Sequence, residues 1–558
     1  MNLKQTLSEW VLASLNGDFD DWLIEGLDRE RRIDCRNHGR EAAYAAAFGV
    51  FTDFPGNPVF GREALWEKVL QMLDIICAIQ FEDGMWDWHV PATRKTHRSG
   101  HVWSVDSWLR LLAEFGPRMD PARRDRLEAM LRRALPGRAR GAEQFMETGI
   151  HPASKNIFAH STLQLWLGAR LFGERAWEEL AAAALDRVVA LQFEDGYWPD
   201  AYVHRGPTSL YNTVTLDVVS SYARLSGSTA ARATVRRAAD YHLRMAYPDG
   251  TFVETMDERN RYMQPHSGLL ERLVWALAAF EETRPAAAWF AERIQERNGA
   301  AQPAALGAMR IETWKSVPDG DVPAAARAQG RFVLPTIPAG CLAQPPWFVC
   351  VSGAPTQVPA RSFHHDLQCH VSAWHRSLGL VLGGGNSLLD PKFSTFRFHG
   401  RYLADAGRVE PSARGLALAL EYGTIRAFLE VSATENGALQ VEARAEGELP
   451  PESEVALHLY GCLGRRLTGG GNDLALDDMA FWRDCEPGAT LEIGPVRVRS
   501  AARLNLMWPC VPVNIYDPPA LLPLDQAVLR LSARLCDGPV LIELSAPGPL
   551  LGEGKVSA

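Results

Sequence analysis

The sequence predicts an α+β multidomain chain: an incomplete (α/α) toroid over residues 1–300, a connecting region over 301–340, and an antiparallel β-sandwich over 341–558. Three observations predict it. A helical apolar period runs through the first part, a short segment recurs within that part, and alternation with hairpin turns replaces the helical period after residue 340. At 558 residues the chain also exceeds the size at which one core keeps growing, so more than one domain is expected.

The helical period is clearest in stretches such as Trp177–Gln192, rich in Ala and Leu with apolar residues three and four apart. Between such stretches, Ile79-Gln80-Phe81-Glu82-Asp83-Gly84-Met85-Trp86 recurs as Leu191-Gln192-Phe193-Glu194-Asp195-Gly196-Tyr197-Trp198. Tyr247-Pro248-Asp249-Gly250-Thr251-Phe252 is a weaker third copy. Each copy ends a helix at an Asp-Gly turn, adds an aromatic, and leads through a polar loop to the next helix. Repeated helix pairs with their loops on one rim describe a toroid. Taken singly, the same segment reads as a helix stop whose aromatic caps the core.

Residues 303–340 are rich in Ala, Pro and Gly, which reads as a connector. Beyond them, Arg426–Ser432 and Gly437–Ala445 alternate about Glu435-Asn436-Gly437, a hairpin signal. Ala489–Val498 alternates similarly, and Val528–Leu535 and Val540–Leu544 flank Asp537-Gly538, a second hairpin signal.

The net charge of -9 is spread along the chain, which gives no support to a nucleic-acid or anionic-membrane partner. The first residues hold no uninterrupted apolar run and meet Asp18, Asp20 and Asp21 early, so neither a secretion signal nor a membrane span is expected. Nine scattered cysteines without a Cys-x-x-Cys pair suit a reducing cytoplasm.

Two stretches carry a family likeness. Ser154–Gly227 joins an Asn/His-bearing helix, an Asp-Gly turn and a Tyr that opens the next helix. His364–Asp390 holds a His-His-Asp group and further histidines at the start of the β part. In this arrangement the chain resembles the heparinase II/III-like polysaccharide lyases and their alginate-lyase relatives. The resemblance implies β-elimination on a uronate-containing oligo- or polysaccharide. It implies Tyr211 as the catalytic tyrosine, Asn156 as the amide that neutralises the carboxylate, His160 as the nearest histidine on that helix, and His364 or His365 from the β part. Family members often place Asn and His side by side; here they stand four apart, on one helix face.

The chemistry accounts for these residue types. A proton beside a carboxylate is weakly acidic, and a hydrogen-bonding amide or imidazolium stabilises the enolate-like charge as that proton leaves. A Tyr or His can take the proton, and a Tyr can return one to the leaving oxygen. Trp86, Trp88, His97, Arg98, His101, Trp198, His204, Arg205, Arg261 and Tyr262 occupy the rim loops and are the expected substrate contacts, aromatics stacking on sugar and cations facing acid groups. Tyr262 is also a rival for the catalytic tyrosine. No cofactor is required; the resemblance allows a structural zinc, with His365 and Asp390 as candidate ligands beside His370 and His375.

Other readings remain open at this stage. A toroidal glycoside hydrolase would use two rim carboxylates from Asp83, Asp87, Asp195, Asp200 and Glu254. A glycan-binding protein would use the same rim without chemistry. Terpene cyclases also repeat Asp-Gly-x-Trp elements, and Asp18-Phe19-Asp20-Asp21 fits their acidic motif, but a large β domain is not expected there.

Overall fold

The computed structural model describes residues 1–17, 32–34, 39–90, 95–99, 103–149, 155–199, 208–259, 267–298, 307–356, 364–383, 386–515 and 520–546. The chain forms two compact units. The first holds Met1–Arg205, Ser209–Leu243 and Pro265–Ala326; the second holds Gly206–Thr208, Arg244–Gln264 and Arg327–Ala558.

In the first unit the described helices are α1 (Leu3–Leu15), α2 (Gly39–Phe51), α3 (Glu63–Ile79), α4 (Val105–Phe115), α5 (Pro121–Thr148), α6 (Lys155–Phe172), α7 (Arg175–Ala190), α8 (Ser209–Ser226), α9 (Thr229–Arg244), α10 (Ser267–Ala278), α11 (Arg284–Asn298) and α12 (Ala308–Ser316). The even-numbered helices make an inner ring. Each packs on the next, and α12 packs back on α2. Outside them α3 packs on α5 and α5 on α7, while α1 packs on α11 and α12. Inner helices are buried on most of their surface, and α4, α6 and α8 show almost no exposed side. Helix α12 lies in the stretch read as a connector. It is helical because Met309, Ile311 and Thr313 have a core to fill, a tertiary demand invisible in the Ala- and Pro-rich composition around it.

The recurring segment is a built joint. After α3, the Gln80 amide donates to Gly84 O (3.1 Å) and Met130 O (3.0 Å), and Arg133 donates to Gln80 Oε1 (3.0 Å). After α7, Gln192 donates to Gly196 O (3.0 Å) and Thr234 O (2.9 Å), and Arg237 donates to Gln192 Oε1 (2.9 Å). Each glycine sits at positive φ, and an added Cβ would lie 2.0 Å from Arg133 O or 2.3 Å from Arg237 O. Only glycine permits both the turn and that approach. Trp86 Nε1 donates to Ile76 O (3.0 Å) and Trp198 Nε1 to Val188 O (2.9 Å), satisfying carbonyls near the end of the preceding helix.

After the first joint the chain forms β2 (Trp86–Val90) and β3 (Lys95–Ser99), an antiparallel hairpin that β1 (Arg32–Asp34) extends in parallel.

The second unit contains a nine-stranded and a ten-stranded sheet. Their facing apolar residues, among them Val349, Leu418, Leu429, Val441, Leu457 and Leu531, form one buried core. The hairpin at Asn436-Gly437 is present, with β12 (Ile425–Ala433) paired to β13 (Leu439–Glu446). Ala489–Val498 is itself a hairpin, β18 (Thr490–Ile493) and β19 (Val496–Ser500), turning at Gly494. The Asp537-Gly538 turn does not make the expected hairpin. Its flanking strands, β21 (Val528–Arg534) and β22 (Val540–Ser545), enter different sheets, β21 beside β14 (Glu454–Leu459) and β22 beside β13. The alternation is the same for a hairpin and for a crossover between sheets, so sequence could not separate them. No helix among the described residues is long and apolar enough to cross a membrane.

Candidate active site

A chain of contacts within the first unit defines one rim. In the first turn of α6, Phe158 lies 4.3 Å, centroid to centroid, from Phe145 near the end of α5. Arg187, near the end of α7, donates to Phe145 O (3.0 Å) and Met146 O (2.9 Å). Val188, next along α7, accepts from Trp198, whose own carbonyl accepts from Asn212 in the first turn of α8 (3.2 Å). The starts of α6 and α8 therefore share the rim where α5 and α7 end.

Asn156 and Tyr211 both stand in those starting turns. Asn156 is 2% exposed, and its Oδ1 accepts from Ile157 N (2.9 Å). Because α6 already begins at Lys155, Asn156 lies inside the first turn rather than capping it. Tyr211 is half-buried in the first turn of α8. Helix starts carry positive potential from unsatisfied N–H groups, which favours an anionic group nearby.

His160 sits one turn further into α6 and lines a water-sized cavity of about 20 Å³. All six inner helices line it, through Glu41, Asp106, His160, Asp217, Arg272 and Arg310. Trp103 lies edge-on to the His160 ring at 5.0 Å, and the Arg272 guanidinium lies 5.9 Å from the Trp103 centroid and 3.9 Å from Asp217. Burial raises the Asp106 carboxyl to about 6, although Arg110 opposes the shift. Burial likewise raises Asp217 and lowers the Arg310 guanidinium. His160 thus belongs to a polar centre on the ring axis. Sequence reasoning missed this centre because its carboxylates, guanidiniums and imidazole come from six separate helices.

In the second unit the third Asp-Gly loop is held by the β strands. The Tyr247 hydroxyl donates to Glu254 Oε2 (2.8 Å) and lies 2.7 Å from Ser372 Oγ, which also receives the Thr255 hydroxyl. Burial, then the Glu254 charge, pushes the Tyr247 phenol well above its ordinary range, so it stays protonated. Asn386 donates to Glu254 O (3.1 Å) and accepts from Cys369 N (2.9 Å). His364 and His365 are both buried beside this loop, His365 N donating to Glu258 O (2.6 Å). Asp366 Oδ2 accepts from Leu389 N (2.8 Å). The His-His-Asp group is therefore fixed against the third loop. The bonds that tie Tyr247 to Ser372 and Glu254 to Asn386 were missed because they span more than a hundred residues.

Several expected contacts change meaning. Trp86 and Trp198 are 0% and 2% exposed with their N–H groups committed to helix ends, so neither offers a face to a sugar. Both are corrected to structural residues. Trp88 pairs in register with His97, and Asp87 with Arg98, on the β2–β3 hairpin; the side chains of Trp88, His97 and Arg98 lie outside the described residues. So do His101, His204, Arg205, Arg261, Tyr262, Asp200 and Asp18-Phe19-Asp20-Asp21.

Three of the candidate zinc donors, Asp390, His370 and His375, have other partners. Asp390 caps Lys392 N (3.3 Å) and pairs with Lys392 Nζ (3.1 Å). His370 Nδ1 lies 2.8 Å from Ser352 O, and His375 Nδ1 lies 3.0 Å from Ser377 Oγ. Among the described residues no three His, Cys, Asp or Glu side chains are grouped to hold a metal, His365 included.

No protein-family model matches the sequence, and no curated protein matches it significantly. Solved structures do match. A chondroitinase AC lyase studied with oligosaccharides aligns at a TM-score of 0.58 and 11% identity, over 98% of this chain and 84% of that one. A Streptomyces coelicolor A3 chondroitin AC lyase in complex with chondroitin sulphate aligns at 0.55 and 14%, over 98% and 83%. A mutant heparan sulfate lyase of Pedobacter heparinus aligns at 0.54 and 12%, over 92% and 76%. These likenesses establish the fold, a helical toroid followed by an antiparallel β-sandwich, and bear out at that level the resemblance read from sequence.

Proposed function

We propose that this protein is a polysaccharide lyase that cleaves a uronate-containing oligo- or polysaccharide by β-elimination. One observation carries the reading: Asn156 and Tyr211 open two neighbouring inner helices on the same rim of a toroid with the lyase fold.

Asn156 supplies a neutral amide to the uronate carboxylate, with the α6 start adding positive potential. A base removes the proton from the carbon bearing that carboxylate. The electron pair moves into the new carbon–carbon double bond, the bond to the glycosidic oxygen breaks, and that oxygen takes up a proton. Tyr211 is the group assigned to return the proton, and as phenolate it could also have taken it. His364 and His365, candidate bases by the family resemblance, lie buried in the second unit beside the third loop. His160, on the ring axis, is assigned to holding the start of α6 in place.

Hydrolysis needs two available carboxylates at a set separation. Asp83 instead accepts from Met85 N in its own turn (3.0 Å), Asp195 is buried, and Glu254 is bound to Tyr247. Among the described rim carboxylates this leaves Asp87 without the second member of a pair, and the lyase reading is placed first.

Product analysis on a panel of uronate glycans tests it. Elimination gives ultraviolet absorbance from the conjugated double bond, and product masses that sum to the substrate with no water added. Products heavier by one water would establish a hydrolase, and binding without cleavage would establish a glycan-binding protein.

A further inference from the structure

The second unit carries a groove of about 950 Å³ that the proposed chemistry does not use. Its floor follows from strand register. On β17 (Phe481–Cys485), the edge strand of the ten-stranded sheet, Trp482 and Asp484 are two residues apart and share a face. Asp484 pairs with Asn505 on β20 (Leu504–Cys510), and Asn505 pairs with Ser532 on β21. Arg534, two beyond Ser532 on β21, shares the face one rung further from Trp482. One sheet face thus presents an indole at one end, a carboxylate, an amide and a hydroxyl across its middle, and a guanidinium at the other end.

The polar groups are partly held in advance. Asn505 Nδ2 donates to Asp484 Oδ1 (2.6 Å), while Asn505 Oδ1 is buried without a protein donor. Arg534 donates to Pro451 O (3.1 Å), which fixes its guanidinium on the wall without neutralising it. Beside the floor, Glu454 lies between Arg397 (2.7 Å) and Arg530. Trp482 is 59% exposed, a large aromatic left in water on a strand whose other outward residues are charged.

The geometry points to a binding site for a neutral oligosaccharide, distinct from the uronate chemistry of the first unit. A flat indole face stacks on the C–H face of a pyranose ring. Adjacent carboxylate and amide oxygens accept from neighbouring ring hydroxyls, and the guanidinium donates to ring and hydroxyl oxygens. Carboxylates and guanidiniums are balanced across the groove, so nothing there selects an acidic ring over an uncharged one. The volume falls within the range of small-ligand sites and suits a few sugar rings. A protein partner would call for several apolar anchors; this groove offers one aromatic among prolines, alanines and polar groups. The site does not depend on the lyase reading.

Calorimetric titration of the full chain with cellohexaose, and separately with a hyaluronan hexasaccharide, tests the site. Cellohexaose is expected to bind, and Trp482→Ala to weaken it at least about tenfold. Arg534→Ala should weaken it less, and Tyr211→Phe should leave it unchanged. Trp482 is exposed, so its replacement leaves the fold intact, and an unchanged melting temperature checks this. Absence of cellohexaose binding, or equal binding by Trp482→Ala, overturns the site. So does a concentration-dependent dimer that Trp482→Ala abolishes, since the β17 edge would then pair with a second copy. Loss of elimination activity with cellohexaose binding intact would sink the lyase reading and leave this one standing.

Discussion

The two joints at Gln80–Trp86 and Gln192–Trp198 are built alike, bond for bond, while the segments after them differ. Both use Gln to tie the turn to the neighbouring helix, Gly to let a carbonyl approach, and Trp to close the preceding helix. The third turn, at Tyr247–Phe252, keeps the Asp-Gly geometry, with Tyr247 N donating to Thr251 O (2.7 Å). It lacks the Gln and Trp, and it belongs to the second compact unit. The difference separates scaffold from chemistry. Residues that repeat hold helices together; the proposed chemistry is assigned to residues that do not, such as Tyr211 at the start of α8.

The comparison can be broken first by stability. Trp198→Ala should cost about 3–5 kcal/mol, since it removes a fully buried indole together with its hydrogen bond to Val188 O. Denaturant unfolding measures it, and a loss below about 1 kcal/mol would show the joint to be dispensable. Gly196→Ala should cost at least about 3 kcal/mol, because positive-φ strain and overpacking against Arg237 O add. Gly173→Ala, at a similar φ with open space around it, should cost only about 1–2 kcal/mol. Equal losses would remove the close approach as the reason for the repeat's glycine.

Acidification should sharpen the contrast between the two units. In the second unit burial lowers His370 and His458 to about 4, from an ordinary 6.5. Between those values the unfolded chain holds more protons than the folded one. Their contribution to stability is therefore complete above pH 6.5 and drains as pH falls toward 4. Among the described residues of the first unit, His242 is lowered in the same way, to about 3. Against it stand Asp106 and Glu271, raised by burial to about 6 and about 7, which favour the folded state as pH falls. From pH 7 to 5 the second unit should therefore lose more stability. Limited proteolysis mapped by mass spectrometry would show earlier cutting there; equal sensitivity would contradict the assignment.

Much of the fold was legible because periodicity is local. The helical spacing of Trp177–Gln192 and the alternation around Asn436-Gly437 each depend on neighbouring residues alone. What sequence hid was long-range. The inner-ring helix α12 was masked by its Pro- and Ala-rich surroundings, and Asp537-Gly538 reads identically for a hairpin and a crossover. For the candidate site, Asn156 and Tyr211 were legible as helix-start residues. Trp86 and Trp198 were misread because an aromatic after a turn looks the same whether it caps a helix or stacks on a sugar. The axial centre of Asp106, Asp217, Arg272 and Arg310 needs four separate helices in place before it exists.

The non-repeating residues of the rim are proposed to carry the chemistry. The most direct measurement is the rate of absorbance increase on a uronate glycan that the wild-type chain cleaves, taken for Tyr211→Phe alongside its melting temperature. The expected result is a loss of about 10²–10⁴-fold in rate, with melting little changed. An undiminished rate in Tyr211→Phe would contradict the account.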